Sequence, residues 1–107
     1  MRVIWSDLAA DAFREIRYRI FIQFGINAED DYLAATEKAI NQITQFPQTG
    51  KPEYNIAADG SVRSVVIHKR SKFIYYADDT TLYIADVWDV RQDPEMLNAR
   101  LAFPDLA

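Results

Sequence analysis

The chain contains no cysteine and a single histidine, His68, and this scarcity excludes several kinds of site. Without cysteine, neither a disulfide framework nor a thiolate metal centre can form. With one imidazole, a metal site would have to rely on carboxylates. We therefore expect no metal and no other cofactor.

Long apolar runs and linker-like stretches are missing as well. No run approaches the roughly 18 residues that a membrane-spanning helix requires, and the N-terminus lacks the charged-then-apolar layout of a signal peptide. Three glycines and four prolines in 107 residues give no sign of a domain boundary. The composition, 50% hydrophobic, predicts one folded domain over residues 1–107, located in the cytoplasm and without membrane contact.

The charge is acidic overall but unevenly distributed. The net charge is −4, which argues against a generic basic nucleic-acid binder. Between Gly50 and Tyr76, however, five Lys or Arg residues face only two acidic ones. A local cationic patch on an acidic body can still bind phosphate or an acidic partner peptide.

The C-terminal half predicts three consecutive antiparallel strands. Residues 62–68, 72–77 and 81–88 are rich in β-branched and aromatic types. The pair Arg70-Ser71 is predicted to form the first turn, and Asp78-Asp79-Thr80 the second. In a simple meander, the first and third strands flank the middle one and run parallel to each other.

The N-terminal half predicts one strand and two helices. Residues 1–5 form an apolar strand, Ser6 or Asp7 caps the first helix, and Gly25 ends it. Asn27 followed by Asp30 resembles a capping box that starts the second helix. The predicted buried faces of the two helices are Phe13, Ile16, Ile20 and Phe24, and then Tyr32, Ala35, Ala39, Ile43 and Phe46.

These elements define the expected fold class. A short helix is predicted to begin at Asp93-Pro94, after the last strand. The order is then β-α-α-β-β-β plus a terminal helix, which is an α+β arrangement with a helical hairpin packed on a mostly antiparallel sheet. The first strand should pair with a later one, because an isolated strand leaves its ladder groups unmatched.

Several short motifs stand out along the chain. The motif Val87-Trp88-Asp89-Val90-Arg91-Gln92-Asp93-Pro94 is the most specific of them. The weaker ones are Trp5-Ser6 with Ala9-Ala10, Pro47 and Gly50 of a Pro-x-x-Gly loop, Val62-Arg63, and Tyr75-Tyr76. Together these motifs resemble those of the RelE/ParE superfamily of type II toxin–antitoxin toxins. The resemblance implies the same β-α-α-β-β-β order and a role in plasmid stabilisation or growth inhibition.

The resemblance leaves two mechanisms open. RelE-like members cleave messenger RNA on the ribosome without a metal, which would use Arg63, His68, Tyr76 and Arg91 here. ParE-like members lack the full catalytic set and inhibit DNA gyrase. Asp89 stands where many nucleases of the superfamily have His, and no Tyr, His or Lys follows Arg91. Because the acid–base set is incomplete, the sequence favours the ParE-like, non-catalytic toxin, with the nuclease and a non-toxic binding module of the same fold as alternatives.

The resemblance also implies a partner. A cognate antitoxin would lay an amphipathic helix or an added strand along a toxin groove and form a hetero-oligomer with it. The candidate contact residues for antitoxin or target, whether gyrase or ribosome, are Arg63, Lys69, Arg70, Lys72, Trp88 and Arg91. Each also has a structural interpretation. The basic turn can simply keep a hairpin soluble, Trp88 can be core, and Arg63 or Arg91 can pair with nearby groups.

Overall fold

The structure is a computed structural model, and it describes residues 1–90. It contains two long helices, five strands and one short 3₁₀ turn over Pro47–Thr49. The elements are β1 (Arg2–Trp5), α1 (Asp7–Phe24), α2 (Ile26–Gln45), β2 (Lys51–Pro52), β3 (Arg63–Ile67), β4 (Ser71–Ala77) and β5 (Thr81–Asp89). The predicted terminal helix from Asp93 lies outside the described residues.

The five strands form one sheet in the order β1-β5-β4-β3-β2. As predicted, β3, β4 and β5 make an antiparallel meander. The first strand pairs with β5 in parallel, so the expectation that it joins a later strand is confirmed. The two-residue strand β2, which pairs with the start of β3, was not predicted, because Lys51-Pro52 carries no strand pattern of its own.

Helix α1 begins and ends where the sequence indicates. The Ser6 hydroxyl accepts a hydrogen bond from the Ala9 N–H at 2.9 Å and donates one to the Ala85 carbonyl at 2.7 Å, so it caps the helix and ties it to β5. Gly25, with φ of 92°, separates the two helices. The predicted capping box is wrong: α2 starts at Ile26 directly after Gly25, and no side chain caps it.

One face of the sheet packs against both helices and forms the main core. Ile16, Ile20, Tyr32 and Ile43 are buried against Phe73 and other apolar strand residues. Phe13 lies at the centre of an aromatic group, with ring centroids 5.1 Å from Trp5, 5.7 Å from Tyr32 and 5.8 Å from Phe73.

Two residues of the predicted buried faces are exposed instead. Phe24 is 59% exposed and Phe46 64% exposed. Both lie at a helix end, Phe24 as the last residue of α1 and Phe46 as the residue that ends α2. Helical periodicity assigns both residues to the apolar stripe, but each lines a surface depression and is not covered by the core.

The opposite face of the sheet has a smaller core. Val62, Ile74 and Trp88 are buried there, and Ile56 and Ala57 of the β2–β3 connection pack on them. These two apolar residues explain why part of the connection is covered. On the same face, the Glu53 carboxylate accepts a hydrogen bond from the Ser64 hydroxyl at 2.5 Å and pairs with the Lys72 ammonium at 2.7 Å.

Candidate functional site

A cleft with a volume of about 890 Å³ lies beside the Pro47–Gly50 turn. Its floor contains Arg63 and Tyr75, which pair across β3 and β4. Its rim carries three carboxylates, those of Asp59, Asp78 and Asp79. We call this the Arg63 cleft.

The turn beside the Arg63 cleft is held by two side chains. The Tyr75 hydroxyl donates a hydrogen bond to the Pro47 carbonyl and accepts one from the Gly50 N–H, both at 2.8 Å. Arg63 donates from Nη1 to the Gly50 carbonyl at 2.8 Å and to the Gln48 carbonyl at 3.3 Å. The Pro-x-x-Gly spacing therefore has a structural reason.

Glycine is required at position 50 by close packing. A Cβ atom there would lie 2.7 Å from the Ser64 carbonyl oxygen and 2.8 Å from Tyr75 Cε1, and it would also meet the Tyr75 hydroxyl. Only a residue without a side chain lets the backbone approach Tyr75 closely enough to hydrogen-bond with it. Gly50 thus fixes the shape of the cleft wall.

The electrostatics of the Arg63 cleft do not favour acid–base catalysis. Burial raises the pKa of the Tyr75 phenol, and the Gly50 N–H and the Arg63 guanidinium offset that rise only in part. Hydrogen bonds from Ser61 lower the pKa of Asp59, and backbone N–H groups of Thr80 and Thr81 lower that of Asp78. At neutral pH the cleft therefore holds a protonated phenol and a cation beneath an anionic rim.

Two of the other candidate catalytic residues, His68 and Tyr76, lie away from Arg63. His68 is exposed, and it follows the far end of β3, about 17 Å away at 3.3 Å per residue. Tyr76 belongs to the opposite face of the sheet, where its ring stacks on Tyr83 with centroids 4.8 Å apart. Arg91 lies outside the described residues.

The basic turn residues separate onto different surfaces. Lys72 points to the smaller core and pairs with Glu53. Arg70 lies over the Phe24 ring, with Cζ 4.7 Å from the ring centroid, on the helix side. Lys69 is exposed at the turn. Trp88 is 3% exposed and packs in the smaller core.

Two contacts were not anticipated from the sequence. Tyr75 and Tyr76 are neighbours in β4 and lie on opposite faces of the sheet, but strand alternation does not indicate that Tyr75 holds the Pro47–Gly50 turn. Asp89 lies 3.5 Å from the Arg19 guanidinium, so this carboxylate links β5 to α1. No sequence pattern connects positions 70 residues apart, and only the fold brings this pair together.

No group of three or more His, Asp or Glu side chains within residues 1–90 is arranged to hold a metal ion. In the same range, no helix is long and apolar enough to cross a membrane.

Comparison with known proteins assigns the family. The family model described as "ParE toxin of type II toxin-antitoxin system, parDE" matches residues 3–94. A solved chain of the chromosomal ParDE toxin–antitoxin system from P. aeruginosa superposes with a TM-score of 0.66, covering 85% of this chain and 97% of that one. The two are 13% identical, so this likeness supports the fold alone. A comparison with curated protein sequences gives no match. The family match extends over most of the chain, and the chain therefore belongs to the ParE toxin family of type II toxin–antitoxin systems.

Proposed function

We propose that this protein is a growth-inhibiting toxin that acts on DNA gyrase without catalysing a reaction of its own, and that a cognate antitoxin neutralises it. The observation that carries the proposal is the composition of the Arg63 cleft. Among the described residues it offers one cation, one phenol of raised pKa and an anionic rim, and neither an imidazole nor an amine lines it.

Cleavage of RNA by transphosphorylation makes stricter demands. It needs a base for the ribose hydroxyl, an acid for the leaving oxygen and cations for the developing negative charge, all within hydrogen-bond reach of one phosphate. His68 and Tyr76 lie away from Arg63, at the end of a strand and on the opposite face. Asp59, Asp78 and Asp79 would repel a phosphate that approached Arg63.

The alternative is a metal-independent, ribosome-dependent ribonuclease. Arg63 and Tyr75 favour it, because a cation and a phenol share one open cleft. A nuclease of this kind should lose its activity when Arg63 is replaced by Gln. A gyrase inhibitor has no such dependence on a catalytic cation. The third possibility, a non-toxic binding module, predicts no growth phenotype at all.

The test is induction of the chain alone in a bacterial host, with DNA and protein synthesis pulse-labelled separately within minutes. We expect DNA synthesis to fall first and a DNA-damage response to follow, and we expect co-expression of the antitoxin encoded beside the toxin to restore growth. An early fall in protein synthesis that Arg63→Gln abolishes would overturn the proposal in favour of the nuclease. Normal growth under strong induction would instead indicate the non-toxic module.

A matched pair of variants sharpens this experiment. His68→Asn and Tyr76→Phe remove a titratable group or a hydroxyl, while the turn and the Tyr76–Tyr83 stack are kept. For a gyrase inhibitor, growth inhibition should stay within about twofold of the wild type in both variants, because neither group performs chemistry. A fall of about 100-fold or more in either variant is the size expected for loss of a general acid or base, and it would contradict the proposal.

A further inference from the structure

A second, smaller depression lies at the other end of the molecule, between the C-terminal half of α1 and the β3–β4 turn. It has a volume of about 150 Å³. Ile16, Ile20 and Phe24 supply its apolar lining, and Lys69 and Arg70 stand beside them. We call it the turn notch.

Three cations line the turn notch, Arg19, Lys69 and Arg70. Arg19 lies within 4.0 Å of the Glu15 and Asp89 carboxylates. Within residues 1–90, no carboxylate stands at that distance from Lys69 or Arg70, and the same is true of the cations Arg2, Lys38, Lys51 and Arg63. The Arg70 guanidinium lies over the exposed ring of Phe24. An apolar surface beside two unpaired cations matches a ligand that combines an apolar side chain with carboxylates.

The backbone of the turn is strained, which is a separate observation. The Arg70 N–H donates to the Ile67 carbonyl at 3.0 Å, and the two central residues have positive φ, 57° at His68 and 59° at Lys69. Such turns strongly favour Asn and Gly at the central positions. A lysine in this conformation is unfavourable for folding, and strain of this kind concentrates at functional positions. Glycine would form the same turn more stably, so the lysine side chain itself is the feature that needs an explanation.

We infer that the turn notch is a docking point for the antitoxin, and that it takes one apolar side chain of an acidic segment whose carboxylates pair with Lys69 and Arg70. The net charge of the toxin is −4, so an acidic partner would be attracted only where cations such as Lys69 and Arg70 stand together. This inference rests on the proposed function only in that an antitoxin is the partner. It adds that the antitoxin binds at the turn notch, through one apolar side chain and through carboxylates that pair with Lys69 and Arg70.

The first test measures binding of the purified antitoxin, encoded beside the toxin, to wild type and to the double variant Lys69→Glu/Arg70→Glu. The matched control is Arg2→Glu/Lys38→Glu, which reverses two exposed cations outside the notch. We expect affinity to fall at least about tenfold in the notch variant and to change less than about threefold in the control, with the difference shrinking as salt is raised. Equal affinities of both double variants would overturn the inference.

The second test uses Lys69→Gly. The hypothesis that Lys69 is only part of a turn and the hypothesis that it binds the antitoxin predict different results for this variant. Removing the strained side chain should raise the Tm by about 4 °C or more. Antitoxin affinity should nevertheless fall, because one of the two cations is gone. A more stable variant that binds the antitoxin as tightly as the wild type would show that Lys69 has no role in docking.

The outcomes separate the two proposals. If the wild type itself does not bind the antitoxin, the proposed neutralisation and the present inference both fail. If the wild type binds and the notch variant binds equally well, only the present inference fails. If the notch variant binds the antitoxin normally but no longer inhibits growth, the occupant of the notch is the cellular target, and the inference is overturned.

Discussion

At the residue scale, Gly50 is the most constrained position of the Arg63 cleft. We predict that Gly50→Ala destabilises the protein by about 2 kcal/mol or more, because the added methyl group must displace the Ser64 carbonyl or the Tyr75 ring. Chemical denaturation with urea measures this directly. Gly25→Ala is the comparison, since no atom lies within 4 Å of a Cβ there and its cost should come from positive φ alone. Equal costs for the two variants would contradict the packing argument.

The Glu53 carboxylate should make the stability of the protein depend on pH. Burial of Glu53 acts to raise its pKa, but hydrogen bonds from Lys72 and Ser64 and nearby positive charge outweigh that effect, so the net shift is downward from 4.5. A carboxyl group with a lowered folded-state pKa contributes stability above its unfolded pKa and loses that contribution as the pH falls through the folded value. The wild type should therefore exceed Glu53→Gln in free energy of unfolding at pH 7, and the difference should decline as the pH falls below about 4.5. A difference that is independent of pH would show that the carboxylate charge contributes nothing.

At the element scale, the start of α1 depends on Ser6. Ser6→Ala removes both the cap on the Ala9 N–H and the bond to the Ala85 carbonyl, so we predict a loss of about 1–2 kcal/mol in the free energy of unfolding. Ser6→Thr keeps the hydroxyl and should cost less than half as much. Thermal or urea unfolding of the two variants measures the difference, and similar losses would mean that the hydroxyl is not the stabilising group.

The elements also show what the sequence could predict. Their content of β-branched and aromatic residues placed β3, β4 and β5 within about a residue of their observed limits, and Ser6 or Asp7 and Gly25 marked the ends of α1. The first turn was predicted at Arg70-Ser71, but it is centred on His68 and Lys69. That prediction failed because neither residue is typical of positive φ, and no local pattern reveals a turn that is held in place by strand pairing.

The candidate site was less predictable than the fold, for a physical reason. The Val62-Arg63 motif identified Arg63, and an arginine beside an apolar strand face was expected to meet an acidic group, but its partners are the Gln48 and Gly50 carbonyls. Every residue has a backbone carbonyl, so the pattern of side chains in a sequence cannot indicate which carbonyl is the partner. His68 lies far from Arg63 because β3 separates them, and Tyr76 lies on the other face because side chains alternate along β4. Both facts can be derived only once the register of the sheet is known.

At the scale of the whole molecule, the two clefts lie at opposite ends of β3 and differ in charge. The Arg63 cleft has an anionic rim, and the turn notch has two cations without carboxylate partners among the described residues. A toxin that must be neutralised by one protein and must act on another needs surfaces that distinguish the two. The dependence of antitoxin affinity on salt should therefore be reduced by charge reversal in the turn notch more than by reversal elsewhere.

Supercoiling of relaxed plasmid DNA by purified gyrase, with the toxin titrated in and the antitoxin then added, tests the central claim most directly. A gyrase-directed toxin should inhibit supercoiling or trap cleaved DNA in proportion to its concentration, Tyr76→Phe should behave like the wild type, and the antitoxin should restore activity. Full gyrase activity at a large excess of toxin, together with cleavage of messenger RNA on translating ribosomes, would contradict the account.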